Sequence, residues 1–458
     1  MGSVVDGRPT TWRNWSREQT CRPARIARPR SAREAADVVR RAAADGLPVK
    51  AVGSGHSFTG AALTDGVLVD VSAIRGLQDL DPATGLVRVG AGTSIHELSS
   101  LLADHGLGME NLGDIDRQTI AGAIATGTHG TGATLGNLPS QVRAIELVTG
   151  TGEIVDLDAD SDPLGLRAAR VGIGALGIVT AVTIQAVPAY VLRGVDTTEP
   201  LEEVLATLQE RVDGHRHFEA YVFPHAPLCL TRTNDVVDAA AAPPSRAQRW
   251  LRQGGLETAA LATVSEIGRR VPAAIPRLNR FVTHVAGTSV RTDRSDRIFA
   301  SPRHVRFVEM EWALPRAEVE PALREILALI AGQGLAVNFP IEMRFVRGDD
   351  ALLSPVHGRE SGYLAVHVYR DMRWGQYFRG VQEIAAAHGG RPHWGKRHFM
   401  TADDLAPRYP EWDAFADVRA RLDPEGRFRN EYLDRVLGPV RTPATRLGVP
   451  VEHVEAAR

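Results

Sequence analysis

The sequence predicts an α+β protein built as two domains. Three observations carry this. Up to about residue 188, short apolar runs alternate with a few helical stretches and glycine-rich turns. Beyond it, three runs alternate apolar and polar residues around one amphipathic stretch, the pattern of an antiparallel sheet with a helix. The chain also has 458 residues, where about 150 per domain is usual.

The elements follow in order. RPARIARPR (22–30) is a strand-like segment. Ser31 reads as the N-cap of AREAADVVRRAAADG, with Glu34 at the capping-box spacing and Gly46 as the stop. PVKAVGSG, GHSF and VLVDVS read as strand, glycine turn and strand. LVRVGAG (86–92) is a short strand, and SIHELSSLLADHG (94–106) is a helix ended by Gly106. QTIAGAIATGTHGTG (118–132) starts a helix and runs into a glycine-rich loop. VRAIELVTGTGEIVDL (142–157) is a hairpin, and GALGIVTAVTIQAVP (174–188) is a strand closed by Pro188. Residues 235–280 are rich in Ala and Arg and read as helical or partly mobile. FVEMEWALP (307–315), AVNFPIEMRFVR (336–347) and GYLAVHVYR (362–370) read as half-buried strands, with RAEVEPALREILALIAGQG as a helix between the first two. Residues 394–439 read as helix and loop, with a turn at Asp423-Pro424-Glu425-Gly426.

Composition narrows the function. A net charge of −2 and a pI near 6.7 argue against a nucleic-acid binder. Cys21 and Cys229 stand alone, with no CxxC or Cys/His zinc spacing, so no metal is expected. The N-terminus has no apolar secretory core, and no stretch reaches the roughly 20 apolar residues that span a bilayer. The expectation is a cytoplasmic protein without a transmembrane anchor. Lys50 and Lys396 are the only lysines, against 51 Arg. Lys50 reads as a solvated charge.

Five segments could carry chemistry. Val52-Gly53-Ser54-Gly55-His56-Ser57 follows a strand, so its backbone could approach a phosphate, or it is a plain turn. It fits neither a Rossmann fingerprint nor a P-loop. Thr126-Gly127-Thr128-His129-Gly130-Thr131-Gly132 combines backbone donors with hydroxyls. In Gly172 to Ile178 small residues permit close approach. Three such stretches together favour a large flat cofactor. Glu342 and Arg344, at i and i+2 of a strand, share a face. They are either a surface ion pair or the polar lining of a pocket. Arg391 to Phe399 crowds Trp394, His393, His398 and Lys396 beside Pro and Gly.

In order, G-S-G-H-S-F, A-T-G-T-H-G-T-G, G-A-L-G-I-V-T, E-x-R, P-H-W-G-K and L-D-P-x-G-x-F-x-N (Leu422 to Asn430) resemble the vanillyl-alcohol-oxidase-type flavoproteins, in particular the aldonolactone oxidases and the related alditol oxidases. The resemblance covers about residues 15–440. It implies an FAD domain of small mixed sheets with helices, made from both chain ends, and a central substrate domain. The expected boundaries are 1–188 for the FAD domain, 189–390 for the substrate domain, 391–440 for a segment completing the site, and 441–458 for a tail.

The same resemblance implies FAD linked covalently to His56. Val52 to Ser57 would hold the pyrophosphate and ribityl region. Gly113, Asp114, Thr119, Gly122, Thr126, Gly127, Thr128, His129, Ile178 and His398 match other cofactor-contacting positions. Glu342, Arg344, His367 and Lys396 become the expected catalytic group. Alditol oxidases have a substrate-binding Ser where this chain has Asp114, and a Thr at His367, and they lack His398. These departures favour a sugar lactone over a polyol. The implied reaction moves hydride from C2–H of a 1,4-lactone to flavin N5. It gives a 2-keto lactone that enolises to an ascorbate-type product, and O2 takes the electrons to give H2O2. A small residue at Gly113 goes with oxidases, a methyl there with dehydrogenases. Oligomeric state has no signal in the sequence.

Overall fold

The computed structural model describes residues 11–242, 256–300 and 305–441. The expected tail 441–458 thus lies outside the described residues except for Arg441. The first sheet is parallel: Arg25–Ala27, Val67–Asp70 and Val49–Val52, in that order across it. A parallel pair needs a crossover, and helix Ala32–Ala44 supplies it between the two outer strands. Its Ser31 cap accepts from the Glu34 amide at 3.2 Å, while the Glu34 carboxylate accepts from the Arg30 amide at 2.9 Å. Ala35, Ala36, Val38, Val39 and Ala42 form its buried stripe.

The second sheet is antiparallel, in the order Ile154–Asp158, Val142–Val148, Ile178–Gln185, Leu86–Gly90 and Leu77–Asp81. The expected hairpin is present, with Val148 opposite Ile154. The third sheet has eight antiparallel strands between Val191 and Pro392. Their order is Ser289–Arg294, Val191–Pro200, Leu228–Val236, His217–Val222, Ile341–Val346, Ser361–Tyr369, Phe307–Pro315 and Arg391–Pro392.

Two expectations change here. The first four of those strands escape the sequence reading, because residues such as the RGVDTTEP of Val191–Pro200 mask the period-two signal. Of the span read as helical, the described part holds helices Leu256–Arg270 and Ile275–Val285 and the end of strand Leu228–Val236; residues 243–255 lie outside the description. The strands at 307–315, 341–346 and 361–369 are also not half-buried: nearly every residue is buried, polar ones included. Their apolar face (Met310, Trp312, Met343, Phe345, Leu364, Val366) joins a core with Leu323, Ile326 and Ile330 of helix Val319–Gly332. Each such large side chain contributes about 1.5–3 kcal/mol. Their polar face is buried too, because its charges pair with one another.

Candidate active site

Two of the three glycine-rich stretches, with Thr126 alone from the third, converge on one cleft of about 980 Å³. Val52, Gly53, Ser54, Gly55, His56 and Ser57 form one wall, Gln118, Thr119, Gly122 and Thr126 a second, and Gly172 to Gly174 with Gly177 a third. No Asp, Glu, Lys or Arg side chain lines it. Among the described residues no backbone carbonyl accepts from the amides of Gly55, His56 or Ser57, so these donors are free for a ligand. Glycine is required: a Cβ on Gly53 would stand 2.0 Å from Thr119 Oγ1, and Gly55 has φ +67° with Trp12 2.9 Å from where its Cβ would be. A narrow, uncharged, donor-rich cleft fits a dinucleotide pyrophosphate, which accepts hydrogen bonds and tolerates no side chain between itself and the backbone.

A different surface lies on the eight-stranded sheet. Directly opposed residues share a face. Glu219 opposes Arg344, Tyr221 opposes Glu342, Ala365 stands between Glu342 and Glu311, and His367 opposes Glu309. Arg344 pairs with Glu342, donates to Glu219 at 2.9 Å, and reaches within 3.6 Å of Asp114. Glu219 continues to Arg232 at 3.1 Å, and Arg232 to Asp196 at 2.5 Å. Across the sheet, Lys396 pairs with Glu309, whose other oxygen lies 3.4 Å from His367 Nε2. Glu311 meets His129 Nε2 at 3.0 Å.

Electrostatics set the states of these groups. Burial raises Glu342, Arg344 pulls it down, and Asp114 and Glu219 leave it above the ordinary glutamate value. Burial also acts on Glu309, but Lys396 and His367 overcome it and hold the carboxyl at about 2. His367 is raised, because Glu309 outweighs the burial that would lower it. Lys396 is raised, with Glu309 and Glu311 outweighing burial. His56 is pushed down to about 4 by burial and then by the charge of Lys396, so its imidazole is neutral near pH 7.

His56 also joins the two surfaces. Trp15 stacks on it with centroids 5.7 Å apart and meets Phe307 on the sheet. Phe58 lies 5.4 Å under the Lys396 ammonium, and its amide donates to Gly395 O at 2.7 Å.

The remaining expected positions scatter. Gly113 abuts the His129 backbone and the Thr128 side chain, and Asp114 sits in the Arg344 cluster. Gly127 packs on Pro355, and Thr128 Oγ1 reaches Gln118 at 3.5 Å. His129 stacks on Tyr363 at 3.6 Å, on the sheet side. Ile178 is core, beside Val148 and Phe428. His398 lies away from the cleft, 3.2 Å from the Tyr432 hydroxyl, and burial pushes it down to about 3.

Lys50 corrects the sequence reading. It is not solvated but 1% exposed, donating to Gly174 O at 2.8 Å and Phe428 O at 3.1 Å. Its strand is one of the two outer strands of the parallel sheet, and the Gly172–Gly177 loop and the C-terminal segment close over it. Glu219, Arg232, Glu309 and Glu311 were not anticipated. The alternation of Glu309 and Glu311 with apolar neighbours was visible, but alternation alone marks a solvent face as readily as a buried one.

Residues 23–158 match an FAD-binding domain family, and residues 182–436 match the D-arabinono-1,4-lactone oxidase family. The chain is 46% identical to an L-gulono-1,4-lactone dehydrogenase of Mycobacterium tuberculosis (strain ATCC 25618 / H37Rv), over 93% of this chain and 99% of that protein. It is 33% identical to the L-gulonolactone oxidase of Bos taurus, over 93% and 98%. The crystal structure of cholesterol oxidase from B. sterolicum shares the fold, with a TM-score of 0.81 at 17% identity, covering 96% of this chain and 98% of that one. With a donor-lined cleft beside a buried charged sheet face, these matches make the chain an FAD-dependent oxidoreductase that belongs to the D-arabinono-1,4-lactone oxidase family.

Proposed function

We propose that the protein oxidises the C2 hydroxyl of a sugar 1,4-lactone to the 2-keto lactone, with FAD attached covalently through His56 and O2 as acceptor, giving H2O2. The observation that carries this is the charged face from Asp196 to Lys396, buried next to His56. Bound FAD supplies the hydride acceptor. Arg344, fixed by three carboxylates, orients the lactone oxygens. Glu342 accepts the hydroxyl proton, because a carboxylate raised above its ordinary value is a stronger base. Lys396 holds a point charge that stabilises developing negative charge. Ala365 leaves room between Glu342 and Glu311. A neutral His56 imidazole is the nucleophilic form that flavin attachment needs.

Anaerobic titration of the visible spectrum with gulono-, galactono- and arabinono-1,4-lactones against xylitol and sorbitol tests the substrate class. Bleaching by polyols alone would replace the lactone with an alditol. Acid precipitation tests attachment: yellow should stay with the protein, and His56→Ala should release it.

A second reading of the acceptor has its own support. A Cβ on Gly113 would stand 3.0 Å from His129 O and 3.4 Å from Thr128 Cγ2, so this wall is already tight without a methyl. Together with the dehydrogenase named above, that favours a dye- or cytochrome-linked enzyme. Turnover in air without a dye decides for O2. Cys21 and Cys229, both free thiols, support a cytoplasmic location.

A further inference from the structure

Lys50 is a buried ammonium that forms no ion pair among the described residues; its recorded partners are two backbone carbonyls. Burying a charge this way is costly unless something offsets it. The groups that bear on it electrostatically are Arg419, Asp423 and Asp434 of the C-terminal segment. Each is engaged elsewhere: Asp423 accepts from the amides of Arg427 at 2.7 Å and Phe428 at 2.9 Å, Arg419 donates to Gly438 O at 2.9 Å, and Asp434 pairs with Arg429 at 3.0 Å. On the other side Lys50 stands directly behind the cleft wall. Its Nζ would be 3.5 Å from a Cβ on Gly174, and Gly174, Ala51 and Val52 all line the cleft. That cleft has no charged side chain of its own, yet its ligand carries a pyrophosphate.

We propose that Lys50 is the counter-charge for the pyrophosphate of the bound dinucleotide, acting through the Gly174 wall rather than by contact. The proposal rests on the cleft being the FAD site. In a low-dielectric wall such a charge keeps most of its field, whereas a surface lysine would be screened. Burial, and then Arg419, push the ammonium down to about 7 in the free cleft. An anion arriving behind Gly174 raises it again. Binding therefore takes up a proton just above neutrality, and affinity falls as pH rises through that range.

The test uses the full chain with His56→Ala, so that flavin exchanges, with and without Lys50→Met. The probes are FAD and riboflavin, which share the flavin ring but differ in the pyrophosphate. Lys50→Met should weaken FAD by about tenfold or more and leave riboflavin within about twofold. The parent's FAD affinity should fall between about pH 6 and 9, and the Met variant's should stay flat. Equal losses for both probes would make Lys50 only a clip between the Gly174 loop and Phe428, overturning the proposal alone. Failure of FAD to bind the parent would remove the cleft reading with it. Should Lys50→Met not fold, proton uptake by the parent at about pH 8 serves instead: uptake with FAD and none with riboflavin supports the role, and none with either ends it.

Discussion

The glycine-lined cleft and the charged sheet face are built from opposite materials. The cleft is built from glycines, small residues and free amides, and no charged side chain lines it. The sheet face carries Asp196, Arg232, Glu219, Arg344 and Glu342 in alternating sign, and beyond Ala365 the Glu309–Lys396 pair. In the proposed function the cleft binds by letting backbone approach, and the sheet acts by holding charges in place. A substitution in the cleft should act through added volume, and one on the sheet through charge left unpaired.

The largest effect should come from Arg344→Met. It strips the shared counter-charge from Glu342, Glu219 and Asp114, and breaking such a buried pair costs about 3–5 kcal/mol. Chemical denaturation should show that loss with turnover abolished; parent-like stability would mean the row is not an electrostatic unit. Next, Gly53→Ala drives a methyl into Thr119 and should cost about 1–3 kcal/mol while the purified protein comes out largely free of flavin. Full flavin content in that variant would erase the contrast between volume and charge.

Lys396→Arg keeps the charge but replaces a compact ammonium with a planar fork against Glu309. A fall of about 10²-fold in kcat is expected, with Tm nearly unchanged. The smallest effect should be Glu219→Gln. Glu219 is one of the like charges that keep Glu342 raised, and its loss also leaves Arg344 more fully to Glu342. As the proposed base, Glu342 would work ionised, so activity should rise with pH as it loses its proton. Removing the neighbour lowers its pKa, and the acid limb of kcat/KM should move down by roughly one pH unit. A limb that stays put, or moves up, would remove Glu342 as the base.

The two regions also differ in how far they could be read beforehand. The cleft was legible because close backbone approach demands glycine, and glycine leaves a local pattern: Gly53-Ser54-Gly55 and Gly172 to Gly177 name themselves. The sheet face was half legible. Glu342 and Arg344 stand two apart on one strand, so their common side followed from period two. Glu219, Glu309 and Glu311 sit on other strands, and nothing in EMEW or FEAY says which side faces inward. His129 was expected at the cofactor from its local motif; that its ring meets Glu311 and Tyr363 on the sheet's polar face was not written there.

The two lysines show where the boundary falls. By itself the sequence determined the ordered motifs, the α+β architecture, the cleft-forming glycines and the E-x-R strand, because each depends on spacing within a few residues. The tertiary structure alone decided which charges are buried and what meets them. Lys396 stands within nine residues of two histidines and a tryptophan, so its setting was visible along the chain. Lys50 is closed in by Gly174 and Phe428, which lie 124 and 378 positions away, and burial by segments that distant is not written near the residue it buries.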